Sequence, residues 1–100
     1  MSISAKKYLE KKVGKLTLGM AIRSIRLSEE ESQTAFAEKL GVSTQYLCDL
    51  EHNRKVVSPK KAKEFAEALG HSIEQFIALA IQDSLHDNGI RVTVEIKKVA

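Results

Sequence analysis

The sequence predicts an all-α protein of five short helices, preceded by a basic amphipathic helix and followed by one C-terminal β-strand. Apolar residues recur at three- and four-residue intervals in five successive segments between Thr17 and Asp87. Each segment opens on a Ser or Thr suited to capping, and glycine or asparagine stands at the ends of four of them. Aromatic content is 5% with no Trp, so the core must be Leu, Ile, Val and Ala, which favours closely packed helices. A chain of 100 residues, 43% hydrophobic, can bury one modest core. The expected division is therefore a basic helix over 1–16, one helical domain over 17–87 and a strand over 88–100.

The elements follow in order. Ser4 caps an N-terminal helix with Ala5, Tyr8, Leu9 and Val13 on one face, lysines on the other and Gly14 at its end. Thr17 caps the next, in which Leu18, Ala21, Ile22 and Ile25 form a stripe and Arg23 and Arg26 lie near the C-terminus, where the dipole favours cations. It stops near Ser28. Ser32 caps a short helix with Ala35, Phe36, Ala37 and Leu40 on its apolar side, and Gly41 permits a sharp turn. Ser43 caps a helix running to about His52, Leu47 and Leu50 pointing inward, and Asn53 takes the position that often needs a left-handed residue. Ser58-Pro59 starts another, with Ala62, Phe65, Ala66 and Leu69 buried before Gly70. Ser72 to Gln75 reads as a capping box, and Ile73, Phe76, Ile77, Ala80, Ile81 and Leu85 carry the last helix to Asn88 and Gly89.

From Ile90 the period changes to two: Ile90, Val92, Val94 and Ile96 alternate with polar residues, the pattern of a strand. One strand cannot satisfy its own backbone, and the chain has no second strand pattern. Two copies paired about a two-fold axis would meet the need, so these four residues are the expected dimerisation segment of a homodimer.

Several function classes are excluded by composition. The lone Cys48 allows no internal disulfide or multi-cysteine metal site, and His52, His71 and His86 share no ligand spacing, so no metal or other cofactor is expected. No constellation of nucleophile, base and oxyanion group suggests an enzyme. The chain has no signal-peptide core and no apolar run near the roughly 18 residues of a membrane span, which points to a soluble, cytoplasmic protein. The net charge of +3 is uneven: five lysines in the first sixteen residues face a single Glu10, whereas Glu29, Glu30 and Glu31 form an acidic run. Between His52 and Lys63 there is no acid, while Arg54, Lys55, Lys60, Lys61 and Lys63 form a run that reads either as a phosphate-facing patch or as a solvated surface.

Two short helices meeting at Gly41, the first bearing the small Ala37 where a close crossing needs it, are the makings of a helix-turn-helix unit. At about 100° per residue, burying Leu47 and Leu50 sends Gln45, Cys48, Asp49 and His52 to the opposite side, with Thr44 exposed at the first turn. Ser43, Thr44, Gln45 and Tyr46 lie at the end that enters the major groove in such units, where an amide can bond adenine bidentately and a hydroxyl several bases. Asp49 is repelled by phosphates unless it accepts a hydrogen bond from cytosine. Tyr46 can contact a phosphate or a thymine methyl, or simply pack, and Cys48 reads as a half-buried filler or a lip of the interface.

The stretch "SQTAFAEKLGVSTQYLCDLEHNRKVVSP" resembles the Cro/repressor-type helix-turn-helix of the xenobiotic response element family, through Gln33, Ala37, Gly41, Val42, Ser43, Leu47, Leu50 and Glu51. The resemblance implies a sequence-specific DNA-binding transcriptional regulator, a homodimeric repressor on a palindromic operator. It implies that Gln33 touches phosphate and braces Thr44, that Thr44, Gln45 and Asp49 face base edges, and that Arg54 and Lys55 meet the backbone. Arg26 and Glu51 match a family salt bridge. Two positions depart from the pattern: Glu31 stands where an apolar residue is usual, and Asn53 where the family has glycine. The wider layout is similar to antitoxins of the HigA and HipB kind, which would add a toxin protein as partner and let the N-terminal helix contact that toxin, extend the DNA footprint or merely pack on the domain. The rival reading is a protein-interaction module that keeps the scaffold without binding DNA, and the acids at Glu29 to Glu31 and Asp49 favour it.

Overall fold

Every helix in the computed structural model, which describes residues 16–97 and Val99, begins where a hydroxyl replaces a missing backbone acceptor. Thr17, Ser32, Ser43, Ser58 and Ser72 each accept a hydrogen bond from the amide three residues on. These caps open α1 (Leu18–Ser28), α2 (Gln33–Leu40), α3 (Thr44–Glu51), α4 (Pro59–Leu69) and α5 (Ile73–Asp87). At Ser72 only half of the expected capping box forms: Ser72 Oγ accepts from the Gln75 amide, and the Gln75 side chain does not return the bond. The N-terminal helix expected over 1–16 lies outside the described residues but for Leu16.

Gly41 and Gly70 end α2 and α4 at φ 72° and 67°, and Asn53 takes the left-handed conformation expected of it at φ 61°. Glu30, at φ 54°, is a left-handed residue the sequence does not announce. Its Cβ makes that conformation cost about 1 kcal/mol. The turn is held by the Glu30 amide on the Leu27 carbonyl and the Glu31 amide on that of Arg26.

Leu18 and Ile22 of α1, Phe36, Ala37 and Leu40 of α2, Leu47 and Leu50 of α3, Ala62, Phe65 and Ala66 of α4, and Phe76 and Ala80 of α5 close one core, with Val57 between α3 and α4. Ala35, expected on the apolar side of α2, is exposed instead, because a helix as short as α2 inserts only the 36, 37, 40 face. Among the described residues, no helix is long and apolar enough to cross a membrane.

The close crossing of α1 and α3 is fixed by a glycine. Gly19 is buried, and a Cβ added there would lie 1.8 Å from the Leu50 carbonyl oxygen. Beside it, Thr17 Oγ1 donates to Asn53 Oδ1 at 2.6 Å, and Asp83 Oδ2 of α5 accepts from the Leu18 amide at 3.0 Å. The start of α1 is therefore pinned to the end of α3 and to α5.

The C-terminal segment corrects the sequence expectation. No strand forms over Ile90, Val92, Val94 and Ile96 among the described residues, since a ladder needs a second backbone and the described residues offer none. A side chain substitutes: buried Gln82 of α5 donates through Nε2 to the Val92 carbonyl and accepts the Val94 amide on Oε1 at 2.8 Å. Ile90, Val92 and Ile96 remain exposed, and Val94 is half-buried.

Helix propensity alone favours Ala over Gly by about 1 kcal/mol. The crossing reverses that sign: Gly19→Ala should lose at least about 2 kcal/mol in urea unfolding, because the backbone of α3 must move away. Unchanged or raised stability would mean that α1 and α3 do not approach this closely.

Candidate nucleic-acid interface

The helix-turn-helix is held from behind by one carboxylate. Glu51, at the end of α3, is 4% exposed. Arg26 of α1 grips it with two bonds, Nε to Oε2 at 2.7 Å and Nη2 to Oε1 at 2.9 Å, and Gln33 of α2 adds Nε2 to Oε1 at 3.1 Å. The third arm of Arg26 donates through Nη1 to the Glu31 carbonyl at 3.0 Å, tying the α1–α2 turn to the same node. Burial pushes the Glu51 carboxyl up, but the hydrogen bonds from Arg26 and Gln33 and the Arg26 charge outweigh it and hold the group below the ordinary carboxylate value. The hydrogen bond to Glu51 likewise raises Arg26.

With its inner side fixed, α3 turns its first residues outward. Thr44 and Gln45 are exposed, and the cap Ser43 beside them is exposed as well. Tyr46 is half-buried, edge-on to Phe65 with ring centroids 6.4 Å apart, and desolvation raises its phenol. The ring is thus partly packed, with the rest of its surface open to solvent. Lys55 Nζ lies 5.2 Å from the centre of that ring, a cation resting on its face.

Asp49 is not isolated. Its Oδ1 accepts from Gln45 Nε2 at 3.0 Å and from Arg54 Nε at 2.9 Å, while Arg54 Nη2 reaches Cys48 Sγ at 3.6 Å. The Arg54 hydrogen bond holds the Asp49 carboxyl below its usual value against partial desolvation, and Gln45 adds to this. His52 donates from Nδ1 to the Cys48 carbonyl at 2.8 Å, which closes the exposed end of the helix. Glu31, the acid standing where an apolar residue is usual, pairs with Lys39 at 2.8 Å.

Among the described residues the chain holds no group of three or more metal-ligating side chains. What it presents is a short helix end with hydroxyl and amide groups outward, flanked by cations on the loop that follows.

The sequence model of the helix-turn-helix family matches residues 22–76, from the middle of α1 into α5. The chain belongs to the helix-turn-helix family. A solved structure similar to it is the clp gene regulator ClgR from Corynebacterium glutamicum, 33% identical, covering 72% of this chain and 78% of that one at a TM-score of 0.53. No curated protein matches the chain.

Within this helix-turn-helix, the structure gathers Ser43, Thr44, Gln45, Asp49, Arg54 and Lys55 along α3 and the loop after it. Gln33 stands apart, its amide turned to Glu51 and joined to Thr44 by no hydrogen bond. Two supporting residues were not read from the sequence as such: Asn53, whose side chain accepts from Thr17, and Gly19. A glycine in the first turn of a helix was the available signal for the second.

A buried charge left without its partner is costly. Arg26→Met should therefore lose about 3 kcal/mol at neutral pH. Because the folded-state carboxyl of Glu51 is the stronger acid, its contribution is complete above the ordinary value of 4.5 and is lost as pH falls below it. Acid titration of thermal stability should show this decline in the parent chain and a shallower one in Arg26→Met; parallel curves would place the acid response elsewhere.

Proposed function

We propose that the protein is a sequence-specific DNA-binding transcriptional regulator acting as a homodimeric repressor, with α3 entering the major groove. The observation that carries this reading is the outward end of α3: Thr44 and Gln45 exposed on a helix whose other side is buried, with Arg54 and Lys55 exposed beside them. Family membership and the likeness to a gene regulator support it. Thr44 and Gln45 read base edges; Arg54 and Lys55 meet phosphates. In a dimer the two α3 helices would lie about 34 Å apart and read a palindrome. The exposed Ile90, Val92 and Ile96 support a self-association surface at the tail. A toxin partner rests on the layout resemblance alone, and the acids at Glu29, Glu30 and Glu31 still favour the protein-interaction alternative.

Binding of the chain to its own upstream DNA across a salt series separates these readings. We expect selective binding with a log–log salt slope of about −4 or steeper, and about tenfold loss of selectivity in Gln45→Ala. Equal affinity for scrambled duplex at every salt concentration would leave the interaction module standing. Removal of residues 90–100 should shift sedimentation toward monomer, whereas an unchanged dimer would put the interface on the helical body.

A further inference from the structure

Asp49 has two possible roles at a DNA surface, and they differ in chemistry. As a base reader it would keep a carboxylate oxygen aimed at the exocyclic amine of cytosine. As found, Asp49 Oδ1 is the shared acceptor of Gln45 Nε2 and Arg54 Nε, at 3.0 and 2.9 Å. A carboxylate accepts only, so the Gln45 side chain can meet it with its amino end alone. The polarity of that amide is thereby settled by chemistry. One N–H of Gln45 is spent on Asp49, which leaves Oε1 and the second N–H, the acceptor–donor pair that matches the adenine N6 amine and N7. Spacing of four residues within one helix keeps the two side chains on one face, so the contact needs no change of backbone to persist in a complex.

Arg54 answers the charge. A bare carboxylate beside phosphates would oppose all binding; the guanidinium on Asp49 cancels it, and only two of its five N–H groups are used, on Asp49 and Cys48. The remaining three can serve a phosphate without releasing Asp49. When the groove excludes water, both bonds to Oδ1 strengthen, since the competing solvent is gone.

We infer that Asp49 is a positioning residue: its carboxylate locks the Gln45 amide into the orientation that selects adenine, and Arg54 makes that carboxylate tolerable at a DNA backbone. This rests on the DNA-reading function proposed above and names the residue that sets its specificity.

The test selects duplexes from a randomised library with the full chain, then measures affinity for the selected duplex with each base pair replaced in turn, using the parent, Gln45→Ala, Asp49→Ala and the double variant. Thermal unfolding of each variant checks that the fold is retained. We expect an adenine preference at one step, lost in Gln45→Ala, and reduced about tenfold at the same step in Asp49→Ala. Affinity for scrambled duplex should rise in Asp49→Ala, and the double variant should lose no more selectivity than Gln45→Ala alone. Loss of a cytosine preference at a different step in Asp49→Ala, with the Gln45 preference intact, would overturn the inference and make Asp49 a reader. An unaltered profile in Asp49→Ala would overturn it as well. Failure of the parent chain to select any duplex would remove the DNA-reading function and this assignment together.

Discussion

One buried carboxylate organises the molecule. Glu51 takes hydrogen bonds from Arg26 on α1 and Gln33 on α2 while sitting on α3 itself, so three helices converge on two oxygens. A desolvated charge tolerates little displacement, because each lost bond exposes an uncompensated ion to a poor solvent. Apolar contacts between short helices slide more easily. The ion pair thus supplies the directional restraint that packing of Leu47 and Leu50 against Phe36 and Leu18 does not, and it fixes how far the outer end of α3 projects.

The second restraint is steric and works at the same end of α3. Gly19 lets the backbone of α1 rest on the Leu50 carbonyl, and the Thr17 hydroxyl reaches Asn53 across the same gap. Asn53 is also the residue that turns the chain out of α3 toward Arg54 and Lys55. Its left-handed conformation therefore has two supports, its own tolerance for positive φ and the hydrogen bond from Thr17. Both restraints act on α3 from the protein side and leave its solvent side to recognition chemistry.

Much of this was legible in the chain because capping and periodicity are local. The five Ser or Thr caps, the glycine ends at Gly41 and Gly70 and most of the core stripe depend on neighbours within a turn or two, and a sequence shows those neighbours. The Gln45 to Asp49 contact is also local, four residues on one helix, yet the sequence alone leaves Asp49 either a base contact or a repelled acid, because its second partner, Arg54, joins it only once Asn53 turns the chain back. Gly19 and Gln82 were hidden for a different reason: their partners, the Leu50 carbonyl and the backbone at 92 and 94, are brought to them by the tertiary fold. Glu30 shows the limit of composition rules, since a residue poorly suited to positive φ holds that conformation through backbone bonds to α1. The tail carries the alternation of a strand, and no strand forms there among the described residues. Alternation reports a tendency, while a ladder requires a second backbone.

In a parallel ladder, one residue of the neighbouring strand donates to the carbonyl before, and accepts from the amide after, the residue opposite it. The Gln82 amide does both, to Val92 and Val94 around Thr93. The tail therefore has a counterfeit neighbour one residue long. Beyond Ile90, whose amide is held by the Leu85 carbonyl, the bonded amide of this segment is that of Val94, and any genuine strand arriving on that edge must either displace the Gln82 amide or align on the opposite edge.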